Sequence, residues 1–470
     1  MTSAIVVGSG PNGLAAAITL AQRGIDVTLI EAADTVGGGL ATSENTLPGL
    51  LHDDCAAVVP TAVMSPFIRT LDLESYGLQW AWPEVDLAHP LDGGRAGVMV
   101  RSLDETERLL GIDGHRWRRL FEPLAQGFDE LATDILRPLV HLPRHPMRLA
   151  RFGPPAMIPA SALVRTFRTE EARALFAGNA AHAWQPLHLP PTSGVALMFG
   201  AVGHRYGWPV VKGGSARLAD ALARLLSDLG AKIETGHTVR SLTELPTADI
   251  VMFDLAPSAI ANIVGDRLPI RVQRAYRRFR YGSAAFKADF AVEDGVPWTN
   301  EHCQAAVTVH VCGSFPEVVA AERATHARSM PERPFIIVAQ QSLVDPSRSV
   351  GNIHPVYAYA HVPQGFSGDA TELILGQIER FAPGFRERIV ATYTRSPTEI
   401  GAHNANNVGG DINGGAMDFR QFIARPRIAL NPYRTGVPGV YICSSSTPPG
   451  GGVHGMCGHN AALSAIGDIA

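Results

Sequence analysis

The sequence predicts an α/β protein in which one parallel sheet is assembled from distant segments, joined to an α+β domain with a mainly antiparallel sheet. A glycine-rich turn follows an apolar strand near the N-terminus, and two more short apolar strands occur hundreds of residues later. A strand of alternating polarity lies between them. The 470 residues, 46% of them hydrophobic, suffice for two or three domains at roughly 150 residues each.

Composition excludes several classes of protein. Forty Lys and Arg against 44 Asp and Glu give a net charge of -4, which disfavours a nucleic-acid binder. The five cysteines have no C-x-x-C spacing, so we expect neither a disulfide scaffold nor a zinc ribbon. The small number of cysteines fits a protein of a reducing compartment. No apolar run reaches the ~18–20 residues that span a bilayer. We therefore expect a cytoplasmic protein, with association at a membrane surface as the alternative.

The N-terminus predicts a Rossmann-like dinucleotide-binding unit. Residues 4–7 form a strand, residues 14–23 a helix and residues 27–30 a second strand. The turn between the first strand and the helix reads G-x-G-x-x-G. These glycines allow a tight turn, close approach of backbone to a pyrophosphate and close helix–strand packing, and Glu31 is placed to accept a hydrogen bond from a ribose hydroxyl. The predicted cofactor-binding residues here are Gly8, Gly10, Pro11, Asn12, Gly13 and Glu31.

Three later segments complete the predicted organisation. Residues 249–253 and 440–443 have the short apolar character of buried parallel strands. Residues 283–292 alternate apolar side chains with Lys287 and Asp289, as a half-buried antiparallel strand does. We therefore predict a discontinuous dinucleotide-binding domain and a substrate-binding or cap domain. The first comprises residues 1–60, 205–262 and 425–470, and the second comprises residues 61–204 and 263–424.

Residues 135–169 carry six arginines, six prolines and no acidic residue. Six prolines are incompatible with one long helix. The segment is either a basic, apolar surface that contacts anionic lipid or frames the mouth of an apolar pocket, or a pair of short helices whose arginines are solvated.

The residues after Glu31 resemble the second phosphate loop of the GG-doublet flavoproteins, the group that includes amine oxidases and carotenoid desaturases. The doublet and its surroundings are Gly37, Gly38, Gly39 and Thr42. In that group an arginine usually follows the doublet, whereas this chain has Gly39. The positive charge that the arginine brings to the pyrophosphate must therefore come from elsewhere in the chain or be absent.

The C-terminal glycine-rich loop extends this resemblance. In that group the following helix begins beneath the flavin, and its free N–H groups stabilise negative charge on the reduced ring. The positions that the resemblance places there are Gly452, Val453, His454 and Gly455. His454, Cys457 and His459 lack the further ligands that a metal site needs, so we predict no metal.

Nearly the whole chain resembles the bacterial phytoene desaturase-like oxidoreductases and the mitochondrial proteins named for a pyridine nucleotide-disulfide oxidoreductase domain. The shared stretches include 50–55, 206–214, 361–363 and 409–415. The resemblance implies FAD as cofactor, with backbone at Val239 against the adenine and residues near 212–214 along the flavin face. Lys212 and His52 are each either catalytic or structural, and no catalytic residue is assigned.

The implied activity is hydride transfer between a C–H bond of an apolar, isoprenoid or carotenoid-like substrate and flavin N5, with desaturation as the first hypothesis. Flavin amine oxidation is the alternative enzyme, and a flavin-binding membrane-surface or assembly factor with little catalysis is the alternative of another class. No close cysteine pair supplies the dithiol of a disulfide reductase, and no second G-x-G-x-x-G supplies an NADPH domain. We therefore expect a quinone or oxygen as electron acceptor.

Overall fold

The computed structural model describes residues 2–469. The strands of the two large sheets are β1 (Ser3–Val7), β2 (Asp26–Ile30), β6 (Val85–Leu91), β7 (Arg95–Met99), β9 (Lys232–Glu234), β10 (Ile250–Phe253), β11 (Ala284–Glu293), β12 (Ala306–Val311), β13 (Ile336–Ala339), β14 (Ile353–Val362), β15 (Ile389–Arg395) and β16 (Val440–Ile442). Two short ribbons pair β3 (Thr42–Ser43) with β4 (His52–Asp53) and β5 (Trp80–Ala81) with β8 (Val210–Val211).

The helices occupy the sheet faces and the connections. They are α1 (Pro11–Ala21), α2 (Pro60–Val63), α3 (Leu103–Leu109), α4 (Gly114–Gln126), α5 (Phe128–Ile135), α6 (Pro146–Ala156), α7 (Ala160–Leu163), α8 (Glu170–Ala181), α9 (Thr192–Tyr206), α10 (Ala216–Asp228), α11 (Pro257–Val264), α12 (Ile270–Arg277), α13 (Glu301–Ala305), α14 (Phe315–His326), α15 (Thr371–Phe381), α16 (Pro397–His403), α17 (Phe419–Ile423) and α18 (Met456–Ile469).

The first sheet is parallel, with strand order β16-β10-β1-β2-β9. The apolar residues of β1 and β10 are buried on both faces, which is why these strands read as continuous apolar runs. This confirms the α/β class and the assembly of one sheet from distant segments. The domain boundaries stay a prediction.

The second sheet is mixed and mainly antiparallel, with order β15-β11-β14-β13-β12-β6-β7. Its one parallel pair joins β12 to β6. The prediction of an antiparallel strand at β11 is confirmed, but the prediction that it is half-buried is wrong. Lys287 and Asp289, on the polar face, are 3% and 0% exposed; they pair with each other, and Asn45 from the segment before β4 hydrogen-bonds Asp289.

The arginine-rich segment folds as short helices, as one of the two interpretations predicts. Pro146 begins α6 at the first-turn position where proline is tolerated, and α7 follows after a break. Within residues 2–469, no helix combines the length and apolar character needed to cross a bilayer.

Candidate active site

The predicted phosphate loop has the geometry its glycines require. Gly8 has φ +98 and donates its N–H to the carbonyl of Ile30 at 2.8 Å. A Cβ on Gly13 would overlap the carbonyl oxygen of Gly8, so only glycine lets α1 approach β1 this closely. Gly10 precedes α1, and no side chain caps the helix at this position. The carboxyl of Asp254 accepts one first-turn N–H, that of Gly13, so the start of α1 is left partly open to an anion.

Glu31 lies beside this loop. Its Oε2 accepts hydrogen bonds from the backbone N–H of Ser9 at 2.8 Å and from the Ser9 hydroxyl at 2.6 Å. Its Oε1 accepts from the N–H of Ala33 at 2.9 Å. The acid is thus held at the carboxyl end of β2, where the prediction places a ribose.

The glycine doublet packs across the phosphate loop. Gly37 donates its N–H to the Ser9 carbonyl at 3.1 Å, and a Cβ on Gly38 would lie 3.1 Å from Gly10 Cα. Gly39 instead borders Cys55: a Cβ added to Gly39 would lie 3.8 Å from the Cβ and Sγ atoms of Cys55. Thr42, predicted with the doublet, hydrogen-bonds Asp53 in the β3–β4 ribbon.

The C-terminal loop brings a second helix start to the same place. Val453 donates its N–H to Thr61 Oγ1 at 2.9 Å, and His454 Nδ1 accepts from the N–H of Met456 at 3.0 Å. Burial lowers the pKa of His454 to about 4, so the ring is neutral. Gly455, with φ +65, turns the chain into α18. His454 caps α18 and leaves the rest of the helix's first turn available.

The starts of α1 and α18 are in contact. A Cβ added to Gly458 would overlap the carbonyl oxygen of Asn12. A Cβ added to Gly455 would lie 3.3 Å from the carbonyl oxygen of Pro11. The Asn12 Oδ1 atom is buried without a hydrogen-bond partner. Two helix N-termini and an unpaired polar atom therefore converge, which suits an anionic dinucleotide. Val239, 7% exposed, packs with the apolar side of β1 and β2 beyond Glu31.

Arg425 is a cation that the sequence analysis did not single out. It is 1% exposed and makes no ion pair within residues 2–469, and its Nε atom has no hydrogen-bond partner. Its Nη2 reaches the carbonyls of Gly414 and Gly415 at 3.4 Å. A Cβ on Gly450 would lie 2.5 Å from Nη1, so the glycine-rich loop passes directly over the guanidinium. Burial lowers the pKa of Arg425, and the charges of Asp411 and Asp418 only partly offset this effect.

Asp254 follows β10 and faces the phosphate loop. Its Oδ2 accepts from the N–H of Gly13 at 2.8 Å and would lie 2.7 Å from a Cβ on Gly10. Burial raises the pKa of this carboxyl to about 7. Asn406 holds the next turn by accepting from the N–H of Ala256 at 2.8 Å.

A small pocket lies between the doublet and the second sheet. Its walls include the aromatic side chains of β14, aliphatic side chains of three segments and a few charged groups. The lining residues are Asp54, Cys55, Ala285, Lys287, Tyr357, Tyr359, Arg395, Ile400, His403, Asn407 and Ile412.

The charges at this pocket are paired. Lys287 bonds Asp289, and Arg395 Nη1 lies 2.8 Å from Asp54 Oδ1. Asn45 Nδ2 bridges Asp54 and Asp289 at 3.1 and 3.0 Å. The positive and negative charges of the cluster are equal in number, so the cluster does not favour a charged substrate.

His403 differs from those groups because it has no ion-pair partner within the described chain. Its pKa is lowered by partial desolvation and by the nearby charge of Arg395. The next residue, Asn404, borders the doublet: its Nδ2 atom would lie 3.8 Å from a Cβ added to Gly38. The segment 403–407 thus connects the pocket to the doublet.

The two residues left open take different positions. Lys212 is exposed. His52 is buried, hydrogen-bonds Thr46 at 2.8 Å through Nε2 and lies 3.6 Å from Asp289 through Nδ1. His52 thus belongs to the charge cluster behind the pocket.

The cysteines do not form a redox pair. All five are free, and burial raises the pKa of the Cys55 thiol to about 11. Across residues 2–469 there is no group of three or more metal-ligating side chains.

Tertiary folding supplies the residues that sequence reasoning missed. Asp254, His403 and Arg425 come from three separate segments, and none belongs to a spaced motif. The one local signal was the run His403-Asn404-Ala405-Asn406-Asn407, which is rich in polar side chains just before a glycine-rich turn.

Comparison with known proteins agrees with this geometry. Residues 6–71 match the NAD(P)-binding Rossmann-like domain family. The chain is 24% identical to mouse pyridine nucleotide-disulfide oxidoreductase domain-containing protein 2, covering 99% of this chain and 93% of that protein. It is 28% identical to hydroxyneurosporene desaturase of Cereibacter sphaeroides, covering 56% of this chain and 58% of that protein.

A solved structure of putrescine oxidase bound to putrescine shares the fold. Its TM-score is 0.61 at 19% identity, with 100% of this chain and 98% of that chain covered. The phosphate loop, the discontinuous parallel sheet and these relatives confirm the predicted class. The chain therefore contains an NAD(P)-binding Rossmann-like domain and is similar to FAD oxidoreductases.

Proposed function

We propose that the chain is an FAD-dependent dehydrogenase that introduces a carbon–carbon double bond into an apolar, isoprenoid-like substrate. The sequence similarity to hydroxyneurosporene desaturase supports this substrate class. Bound FAD supplies the two-electron acceptor for the hydride. The cofactor-binding role of the predicted glycines and of Glu31 belongs to the same proposal.

The observation that carries the proposal is the character of the pocket wall. Ala285, Ile400 and Ile412 give it an aliphatic side, and Tyr357 and Tyr359 give it an aromatic side. Apolar surface buried there contributes ~25 cal/mol per Å² without polar contacts. Since the charged groups are already paired, a hydrocarbon chain displaces no unpaired charge.

Desaturation removes a hydride from one carbon and a proton from its neighbour, so the site needs a base. His403 lines the pocket, and its lowered pKa keeps the imidazole neutral near pH 7. A neutral imidazole accepts a proton, whereas Lys287 and Arg395 are each engaged in an ion pair with a carboxylate. We propose that His403 accepts this proton. The two electrons taken from the substrate are then passed to a quinone or to oxygen.

Amine oxidation is the second candidate, favoured by one observation. The rings of Tyr357 and Tyr359 lie 5.8 Å apart at 78° beside the pocket, and the Lys287 ammonium already lies 4.9 Å from the centre of the Tyr357 ring. Such faces attract a cationic ammonium group as well as a hydrocarbon.

The deciding experiment mixes purified holoprotein, without oxygen, with acyclic isoprenoids in detergent or with primary amines such as putrescine. We expect isoprenoids to bleach the oxidised flavin absorbance and to yield a product two hydrogen atoms lighter. Bleaching by amines alone supports amine oxidation instead. If dithionite reduces the flavin but neither substrate class does, the flavin-binding assembly factor is the better interpretation.

The base is tested with His403→Gln. We expect unchanged FAD content, a slower reduction by substrate and loss of the pH dependence of that step at the histidine pKa. Exposed His115 provides the matched control, His115→Gln, which should leave both rate and pH profile unchanged.

A further inference from the structure

Two surface loops, one of them together with the helix turn that follows it, carry the four most exposed large apolar side chains of the described residues. Leu142 is 90% exposed in the first loop and Met147 84% exposed in the first turn of α6, which follows that loop. Ile428 is 89% and Leu430 85% exposed in the second loop. Single exposed apolar residues are ordinary on protein surfaces, whereas a group of four is a mark of an interaction site.

Both loops are anchored to the same side of α18. Asn460 Nδ2 donates to the carbonyl of Leu136 at 3.0 Å, and Asn431 Nδ2 donates to Ser464 Oγ at 2.6 Å. Asn460 and Ser464 are four residues apart, so they lie one above the other on one helix face. The chain therefore leaves toward the two apolar tips from adjacent points.

Hydrogen bonds hold the first loop in a defined conformation. The buried carboxylate of Asp134 accepts the backbone N–H groups of Arg144 and His145, each at 2.8 Å, and lies 3.3 Å from His141 Nε2. These bonds fix the loop on both sides of its tip. Leu142 thus points outward from a held turn and not from a loose segment.

The surroundings of the first loop are basic. No acidic residue occurs between Asp134 and Glu170. Arg148 is paired with Glu130 at 2.7 Å. Arg144 and Arg151 are exposed and have no ion pair within residues 2–469.

We propose that this surface, formed by residues 137–151 and 427–431 and called here the docking face, binds the surface of an anionic lipid bilayer. Apolar tips insert at the level of the headgroups while arginines contact lipid phosphates, a combination that stabilises peripheral binding. A second copy of the chain does not fit, because two such faces would bring unpaired arginines together. Docking does not depend on which substrate the pocket takes.

The test is sedimentation of the purified holoprotein with vesicles of phosphatidylcholine alone or of phosphatidylcholine mixed with phosphatidylglycerol. We expect binding to the anionic vesicles, weakened by salt. Arg144→Gln and Arg151→Gln should each reduce binding about fivefold. The combined change of Leu142, Met147, Ile428 and Leu430 to serine should abolish it.

Matched controls are Ile112→Ser and Ile270→Ser, at exposed apolar positions outside the docking face, and Arg271→Gln. These should bind like the unmodified protein, and FAD content reports that every variant is folded. Equal binding to both kinds of vesicle, no binding, or full binding by the quadruple serine variant overturns the proposal. Loss of a self-associated form in that variant, without vesicles, would assign the face to a second copy instead.

Discussion

Arg348 donates from Nη1 to Asp53 Oδ2 at 2.6 Å, and neither side chain is exposed. The same guanidinium donates from Nε to Asp345 at 3.0 Å and from Nη2 to the carbonyl of Val211 at 2.7 Å. Asp53 also accepts the N–H of Ser215 at 2.7 Å. One arginine thus ties the ribbon after the glycine doublet to two distant loops.

Removing that arginine should strongly destabilise the protein. Arg348→Met leaves two buried carboxylates without their cation, which costs about 3–5 kcal/mol of unfolding free energy. Urea unfolding measures the loss. The control Arg386→Met breaks an exposed pair with Glu372 and should change stability by less than about 1 kcal/mol. Equal effects of the two changes would contradict the role given to Arg348.

Gly13→Ala should displace α1 from β1. The added Cβ would overlap the Gly8 carbonyl, and overpacking of this kind costs about 1–3 kcal/mol. We expect the purified variant to lack FAD, measured by absorbance after denaturation. Gly376→Ala, in α15, has open space around the new methyl and should stabilise the protein by about 0.5–1 kcal/mol. A Gly13→Ala protein with full FAD would show that α1 tolerates the shift.

Arg425 separates a structural role from an anion-binding role. If the guanidinium binds the FAD phosphates, Arg425→Met should lower the affinity for FAD. The stability of the FAD-free protein should not fall, because a buried cation without an ion-pair partner is itself unfavourable. Fluorescence titration with FAD and urea unfolding of the FAD-free protein measure the two quantities. Unchanged affinity together with a large loss of stability would assign Arg425 to holding the loops of Gly414 and Gly450.

Asp254 makes stability depend on pH. Its pKa rises from 3.8 to about 7 on folding because the carboxyl is buried. Between these values the native state holds a proton that the unfolded state has released, so this group stabilises the fold fully below about pH 4 and loses that contribution as pH rises through 7. Asp254→Asn should flatten this decline, since the amide oxygen still accepts the Gly13 N–H. Unfolding free energies from pH 5 to 8 for both proteins test the expectation; parallel curves would contradict it.

The parts of this molecule that the sequence predicts are those encoded within a few neighbouring residues. The turn from Gly8 to Gly13 carries its own conformational requirements, so its position between β1 and α1 follows from the sequence alone. The start of α18 after Gly455 is predicted for the same reason.

The pocket is less predictable because its walls come from separate segments. Alternation along β11 suggests that Lys287 faces water, yet Asp289 and Asn45 neutralise and cover that face. His403 reaches the site only because α16 ends beside the doublet. Such placements depend on long-range packing, about which spacing in the sequence carries no information.

The contact between the starts of α1 and α18 has a consequence for synthesis of the chain. The face of α1 that meets Gly458 stays uncovered until α18 has left the ribosome, because this partner helix begins at Met456. Contacts between such remote segments form late in folding. A nascent chain that lacks α18 would therefore hold the first phosphate loop but not the completed cradle. FAD retention should thus report that α18 has been made and has packed against α1.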